Sequence, residues 1–477
     1  MTDGDDTTPE ILDAVAAAER DLGLRDANRA YADHMTAPAA ARRPRLVLDD
    51  VSEIPFLDGI SAVEFYQLRA RLRAGDGDIY VATCPAIAGY EAYNTSHLQI
   101  GAPRFLHTPP GRYAPIAISR ACTLPENLKE LALFGRRAGG MTVHPYMGNT
   151  EAWELAAKLS EAADIPVDVL APPPPVTWFA NNKWHVSRFA DTILSARLGR
   201  PPTVPWQAAS DPESLAKALL SLAHIHDRVA IKMTRCASAM GNALFAAEEV
   251  RRLADTGGLI DAVNEVLKAK QWDGEEHVLA VAWLDAEASP STQLWIPPVG
   301  AGPPRVEGVY EQLLIGPEKV FEGSVPSRLG PAMDTWLSEA SLHISAGFQA
   351  LGYVGRCSFD FIVSDGSAYL VECNGRWGGT SIPMHLMDRL FPRKRPAYRA
   401  RDVVAPAFAG RDLTALLDAL GPSLYHHGRG EGRFIVYNVG CLQSAGKFDA
   451  IAIGEDVEDA TAALEVELVE RLGISVS

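Results

Sequence analysis

Two apolar runs joined by Ser364-Asp365-Gly366-Ser367 constrain this chain more than any other stretch. The first is Arg356–Val363 and the second Tyr369–Cys373. An Asp-Gly pair between such runs signals a β-hairpin, because both residues tolerate φ > 0. The second run leads straight into Glu372-Cys-Asn374-Gly-Arg376-Trp-Gly378-Gly379. Alternate strand residues share a face, so Glu372 and Asn374 point the same way. Whether Asp360 joins them depends on the turn. A two-residue turn, Asp365-Gly366, pairs Phe359 with Glu372 and leaves Asp360 on the opposite face. A three-residue turn, Asp365-Gly366-Ser367, pairs Asp360 with Glu372. The three-residue register is expected, because it gathers three oxygen-bearing side chains.

Directly opposed carboxylates repel within a sheet. A cation between them removes the objection. Magnesium prefers hard oxygen ligands, and two carboxylates with one amide oxygen suit it. The bland alternative is a solvated sheet face with chance acids. It suffices for Asp360 alone. It accounts less well for the whole Glu-x-Asn-x-Arg ending and its glycines.

Upstream, Val229-Ala-Ile-Lys232 reads as a strand that delivers a lysine. The small-residue stretch Ser238-Ala-Met-Gly241-Asn242 follows it. Such a loop lets backbone N–H groups approach phosphate, and the lysine adds a point charge. The GxxxxGK[ST] pattern is absent. A lone lysine ending a strand is more often a solvated charge, so its position ahead of the hairpin is what raises the functional reading. Lys183, in Asn181-Asn-Lys-Trp, stands at the start of a helical stretch that ends at Gly199.

Helical and strand patterns alternate between Arg45 and Leu170, which implies an α/β layer with a largely parallel sheet. The proline run Ala171–Pro175 closes that unit. An amphipathic helix over Ile11–Ala32 precedes it, for packing or for dimer contact in a homodimer. Glu248–Ala269 reads as two helices broken at Gly257-Gly258. Val278–Leu284 reads as a strand, Asp285–Pro304 as a loop or irregular ribbon, and Met333–Leu351 as a helix. A last unit begins after about Ala405. The expected divisions are 1–44 (helical extension and linker), 45–180, 181–404 with a lid over about 200–284, and 405–477.

The Lys183 segment, the Lys232 strand and the hairpin, in this order along the chain, resemble the ATP-grasp superfamily. Its members carry a late Asp strand, then Glu-x-Asn-Pro-Arg and glycines; here Gly375 replaces the proline. The segments His144–Trp153, Gly308–Ser327 and Phe434–Asp449 further resemble peptide ligases of the pheganomycin-biosynthesis type. The resemblance implies an ATP-grasp fold with a pre-ATP-grasp α/β domain ahead of it and a small α/β domain after it. It implies ATP and magnesium (Mg2+) as cofactors, with manganese (Mn2+) able to substitute. Asp360, Glu372 and Asn374 would hold the metal. Lys183 and Lys232 would contact phosphate, under a flap of Ser238, Gly241 and Asn242. Ala282, Trp283 and Leu284 would meet adenine, and Glu287 or Asp285 the ribose. Arg376 would face the reacting group, with Gly378 beside it. Independently of the resemblance, Arg305, Arg328 and Arg356 could each clamp a substrate carboxylate bidentately; Arg356, four residues before Asp360, is the best placed, with a salt bridge as its equal alternative.

The implied activity joins a carboxylate to an amine through an acyl-phosphate, giving an amide, ADP and phosphate. Acid and amine would be amino acids or a short peptide, in specialised peptide biosynthesis. The rival classes are a phosphotransferase on the same scaffold and a catalytically silent ATP-binding protein. A formal net charge of −16 argues against nucleic acid or an anionic membrane as partner. Six cysteines with no CxxC pair argue against zinc and for a reducing compartment. The acidic start MTDGDDTTPE lacks a signal-peptide pattern, so a cytoplasmic protein is expected.

Overall fold

A computed structural model describes residues 8–38, 43–55, 62–235, 241–316 and 319–474. Its first sheet is built from β1 (Arg45–Leu48), β2 (Ile79–Ala82), β3 (Arg104–His107), β4 (Met141–Pro145) and β5 (Val167–Val169). The order is β3-β2-β1-β4-β5 and every pairing is parallel. Helices cross between the strands, as parallel connections require. The central strands are buried on both faces; Leu46, Val81 and Val143 are fully covered.

The second sheet is antiparallel and comprises β6 (Trp206–Ala209), β7 (Arg228–Met233), β8 (Asn242–Ala246) and β9 (Val278–Ala282), ordered β6-β9-β7-β8. Three helices lie against it: Pro212–Ala223, Ala247–Asp255 and Leu259–Ala269. The last two are interrupted at Gly257-Gly258, as expected, because Gly257 turns with φ 77°.

The third sheet holds β10 (Pro290–Ile296), β11 (Arg305–Ile315), β12 (Val320–Pro326), β13 (Gly355–Ser364), β14 (Ser367–Asn374), β15 (Ala397–Val404), β16 (Phe434–Tyr437) and β17 (Lys447–Gly454). Its order is β14-β13-β10-β11-β12-β15-β17-β16. One sheet therefore carries both the hairpin and the strands near the end of the chain.

Two local expectations need correction. Residues 285–304 contain β10, a central strand, rather than only an irregular ribbon. Its polar run Ser291-Thr292-Gln293 is buried because each side chain has a partner: Ser291 bonds Asp360, Thr292 bonds Ser341 and Gln293 bonds Ser291. Polarity read as exposure was polarity satisfied inside. The N-terminal helix is also shorter than expected. It runs Pro9–Leu22 and breaks at Gly23 in the left-handed region. It buries Ile11, Ala14 and Ala18 in a cluster shared with Phe179, Phe189 and Ile344, so it packs onto its own chain. Covering Ile11 alone stabilises by about 2 kcal/mol.

Cys84, Cys122, Cys357, Cys373 and Cys441 are buried free thiols. No helix among the described residues is long and apolar enough to cross a membrane.

Candidate active site

β13 and β14 meet at a turn of two residues. Ser364 pairs with Ser367, and Asp365 and Gly366 have φ of 49° and 67°. Positive φ at both positions marks the I′ turn, whose twist matches the flanking strands. The ladder then runs Val363 to Ala368, Ile362 to Tyr369 and Phe361 to Leu370. At that point Val371 drops out as a β-bulge. Asp360 pairs with Glu372, Phe359 with Cys373 and Ser358 with Asn374. The three-residue turn expected from the sequence is therefore corrected, although the pairing it was meant to produce is present. The unpaired residue sits at the site instead of at the loop, where a bulge re-aims side chains.

Asp360 is buried. Its Oδ1 accepts from the Ser291 hydroxyl at 2.6 Å and its Oδ2 from the Asn374 amide at 2.8 Å. Burial and the Glu372 charge push its carboxyl up to about 6. Burial also raises Glu372, but Lys183 and Lys232 outweigh it and hold the group below its usual range. Lys183 Nζ lies 2.9 Å from Glu372 Oε2. The helix Lys183–Leu198 fixes that lysine at its first position. The Asn182 side chain caps it by accepting from the N–H groups of Trp184 and His185, an ordinary N-cap arrangement. The Lys183 N–H also donates to the Thr234 carbonyl at 2.9 Å, tying this helix to the end of β7.

Lys232, on β7, is buried, and its ammonium sits 5.6 Å above the Trp283 ring. Arg376 donates to Asn181 Oδ1 at 2.5 Å, and the Gly375 N–H shares the same oxygen at 3.1 Å. Gly375 does more than loosen the backbone. A Cβ there would lie 2.9 Å from Ala180 Cβ and 2.8 Å from Asn181 Nδ2. Glycine thus lets the helix Pro174–Asn181 close onto the strand end and present Asn181 to Arg376.

These residues surround one cavity of about 550 Å³. Lys183, Lys232, Asp360, Glu372, Asn374 and Arg376 all line it. So do Asn242, Ala282, Trp283, Leu284 and Gly378. Val204, Leu279 and Val281 form an apolar cluster between the second and third sheets, with Trp283, Leu284 and Ile362 packed against it. Gly241 is buried, and its carbonyl accepts from the Met233 N–H at 3.0 Å. Ser238 lies outside the described residues.

Two expected contacts are not brought in. Glu287 is exposed and stands outside the cavity lining. Its N–H bonds the Val363 carbonyl, while its neighbour Ala286 faces the cavity. Asp285 is also outside, paired with Arg228. Arg356 shares a strand face with Ser358 and Asp360 but is covered. Trp377 stacks 4.9 Å from its guanidinium and Glu307 pairs with it at 2.5 Å. Sequence reasoning missed Ser291, Gln293 and Gln312, polar residues in the cavity wall. The alternation Ser291-x-Gln293 was the available signal.

The donor set suits magnesium on chemical grounds. Asp360 and Glu372 are opposed carboxylates, and the Asn374 nitrogen already serves Asp360, leaving its amide oxygen as the acceptor end. Among the described residues no cluster of three or more His, Cys, Asp or Glu side chains could hold a metal. A site of two carboxylates and an amide is the kind that magnesium completes with waters and phosphates.

No family model matches the sequence, and no curated protein matches it. Solved structures do match the fold. Pyruvate carboxylase from Rhizobium etli superposes with a TM-score of 0.54 at 12% identity, over 89% of this chain and 37% of that one. The biotin carboxylase domain of 2-oxoglutarate carboxylase from Hydrogenobacter thermophilus, solved with MgADP, ADP and bicarbonate, gives 0.51 at 14% identity, over 86% of this chain and 87% of that one. Biotin carboxylase from Campylobacter jejuni, solved with β-γ-ATP, gives 0.51 at 13% identity, over 85% and 87%. The fold is that of the ATP-grasp enzymes: a parallel α/β layer, a small antiparallel sheet and a large antiparallel sheet. The likeness at these identities concerns architecture.

Proposed function

We propose that this protein is an ATP-dependent ligase that joins a carboxylate to an amine through an acyl-phosphate. One observation carries the reading: two buried lysines, two opposed carboxylates, an asparagine and an arginine converge on a single cavity. A structure of the same fold holds MgADP, which supports nucleotide and magnesium as the occupants here.

Asp360, Glu372 and Asn374 would hold magnesium, which when bound neutralises phosphate charge and polarises the group being transferred. Lys183 and Lys232 bind phosphate oxygens, with Asn242 and the Gly241 backbone at the rim. Ala282, Trp283 and Leu284 take the base into the apolar slot beside Val204. Held in line, the substrate carboxylate oxygen attacks the γ-phosphorus and the bond to ADP breaks. The amine nitrogen then attacks the acyl carbon, phosphate departs, and the amine loses a proton to solvent. Arg376, aimed by Asn181, orients the carboxylate and stabilises the oxyanion by about 3 kcal/mol, the scale of an oxyanion-hole donor. Gly378 leaves room beside it. The acid and amine are amino acids or short peptides, in specialised peptide biosynthesis.

The test is release of ADP and phosphate from pure protein, Mg-ATP and a panel of amino acids and short peptides, with and without added amines. ADP and phosphate that require both acid and amine are the expected products. AMP and pyrophosphate would sink the mechanism. ADP formed without any amine, with a stable phosphorylated product, would make the protein a phosphotransferase.

A further inference from the structure

The cavity has a second polar end that the phosphate chemistry does not use. It runs across the third sheet from Ser291 on β10, past Gln312 on β11 and Phe321 on β12, to Asp402 on β15 and Asp449 on β17. These five strands are neighbours in that order. The glycines after Arg376 cross the same face, since a Cβ on Gly379 would meet the Phe321 ring. Strands lie about 5 Å apart, so Asp449, two strands beyond Phe321, stands roughly 10 Å from that loop.

The charges at this end are matched except one. Arg69 lies over the Tyr66 and Tyr146 rings at 4.8 and 4.9 Å and pairs with Asp49 at 3.3 Å. Lys447 pairs with Asp402 at 2.6 Å and donates to the Tyr66 hydroxyl at 2.9 Å. Among the described residues Asp449 forms no ion pair, although the Lys447 and Arg69 charges act on it from nearby. It is only 8% exposed. The Asn438 amide donates to its Oδ2 at 2.7 Å, and its Oδ1 is buried without a partner. Asn438 takes a left-handed backbone, φ 48°, to make that clamp. Burial and the nearby Asp402 charge push the Asp449 carboxyl well above the usual carboxylate range. A carboxylate held in a cavity wall with an unused oxygen is costly unless a donor arrives.

We propose that the Asp449 end of the cavity is a recognition subsite for a cationic group, an ammonium or guanidinium, carried by the substrate. Assigning that group to the amine partner rests on the ligase reading above. The amine partner then carries a second basic group, set back from its reacting nitrogen by the width of two strands. Asp449 receives it, with Asp402 as the neighbouring carboxylate and Tyr66 as part of the wall.

The probes are L-lysine amide and L-norleucine amide, which differ by one ammonium group. Calorimetric titration into the full chain measures binding without turnover. Lysine amide is expected to bind at least about tenfold more tightly, the scale of one charged hydrogen bond. Asp449→Asn should abolish the preference, and Asp402→Asn should reduce it. Circular dichroism checks that each variant folds, and the Asp402 variant keeps the test open if the other does not. Equal binding of the two probes, or a preference untouched in the folded variants, overturns the subsite. The ADP-release assay separates the two readings. If no acid and amine yield ADP but lysine amide still binds through Asp449, the subsite stands and the ligase reading falls. If ADP forms with amines and no cationic preference exists, the ligase reading stands and the subsite falls.

Discussion

Asp360 and Glu372 face each other across β13 and β14 because Val371 drops out of the ladder between them. A regular ladder from the same two-residue turn would set Glu372 opposite Phe359. The bulge thus changes the parity of the strand at the point where the chemistry needs it. The resulting contact is repulsive on its own, and Lys183 offsets part of it at 2.9 Å from Glu372. Fold and charge are coupled here, which makes the pair testable from both sides.

Replacing Glu372 with Gln keeps the shape and removes one charge. Turnover should fall at least about a hundredfold, the scale of losing one preorganised electrostatic contact. The rate of ADP release against magnesium concentration checks this. Full activity at ordinary magnesium would refute the metal assignment.

Lys183→Met should destabilise the protein by about 1–3 kcal/mol, because it leaves two opposed carboxylates without their nearest cation. Combined with Glu372→Gln, the loss should be about 1 kcal/mol less than the sum of the single losses. Urea unfolding of the four proteins measures the coupling. Strict additivity would show that the ion pair contributes nothing.

Gly375→Ala places a methyl group against Ala180 and Asn181. The cost should be roughly 1–3 kcal/mol for overpacking. kcat should fall more than stability alone explains, since Asn181 aims Arg376. Chemical unfolding and ADP release on the same preparation separate the two effects.

Glu53 supplies a pH dependence away from the phosphate site. Burial and a hydrogen bond with Glu151 raise its carboxyl from 4.5 to about 7. Below pH 4.5 folded and unfolded chains both hold the proton. Between there and pH 7 the unfolded chain releases it first, so stability falls as pH rises, and the loss is complete above 7. Glu53→Gln lacks this loss. The variant should match its parent at pH 4 and exceed it by roughly 1–2 kcal/mol at pH 8, allowing for partial solvent screening. Urea unfolding at both values decides it; no gain at pH 8 would refute the raised Glu53 carboxyl.

Several elements were legible because their signals are local. The helix Lys183–Leu198 stops at a left-handed Gly199, where its sequence places the end. The break at Gly257-Gly258 and the hairpin around Asp365-Gly366 were equally plain. β10 was not, because Ser291, Thr292 and Gln293 find their partners on β13, the helix Pro331–Ala350 and each other. Arg356 takes the salt-bridge role that stood beside the substrate role. Its strand parity is right for the cavity, but Trp377 and Glu307 cover it.

By itself the sequence determined the kinds of groups and their order along the chain: a lysine at a helix start, a lysine on a strand, and Asp, Glu, Asn and Arg on one hairpin. Those follow from turn chemistry, capping and strand alternation, which act over a few residues. Only the tertiary structure decided that Val371 bulges, that Arg376 rather than Arg356 reaches the cavity, and that Asp449 joins it from far along the chain. Each depends on which surfaces pack together, and packing brings side chains into contact without regard to their distance in sequence.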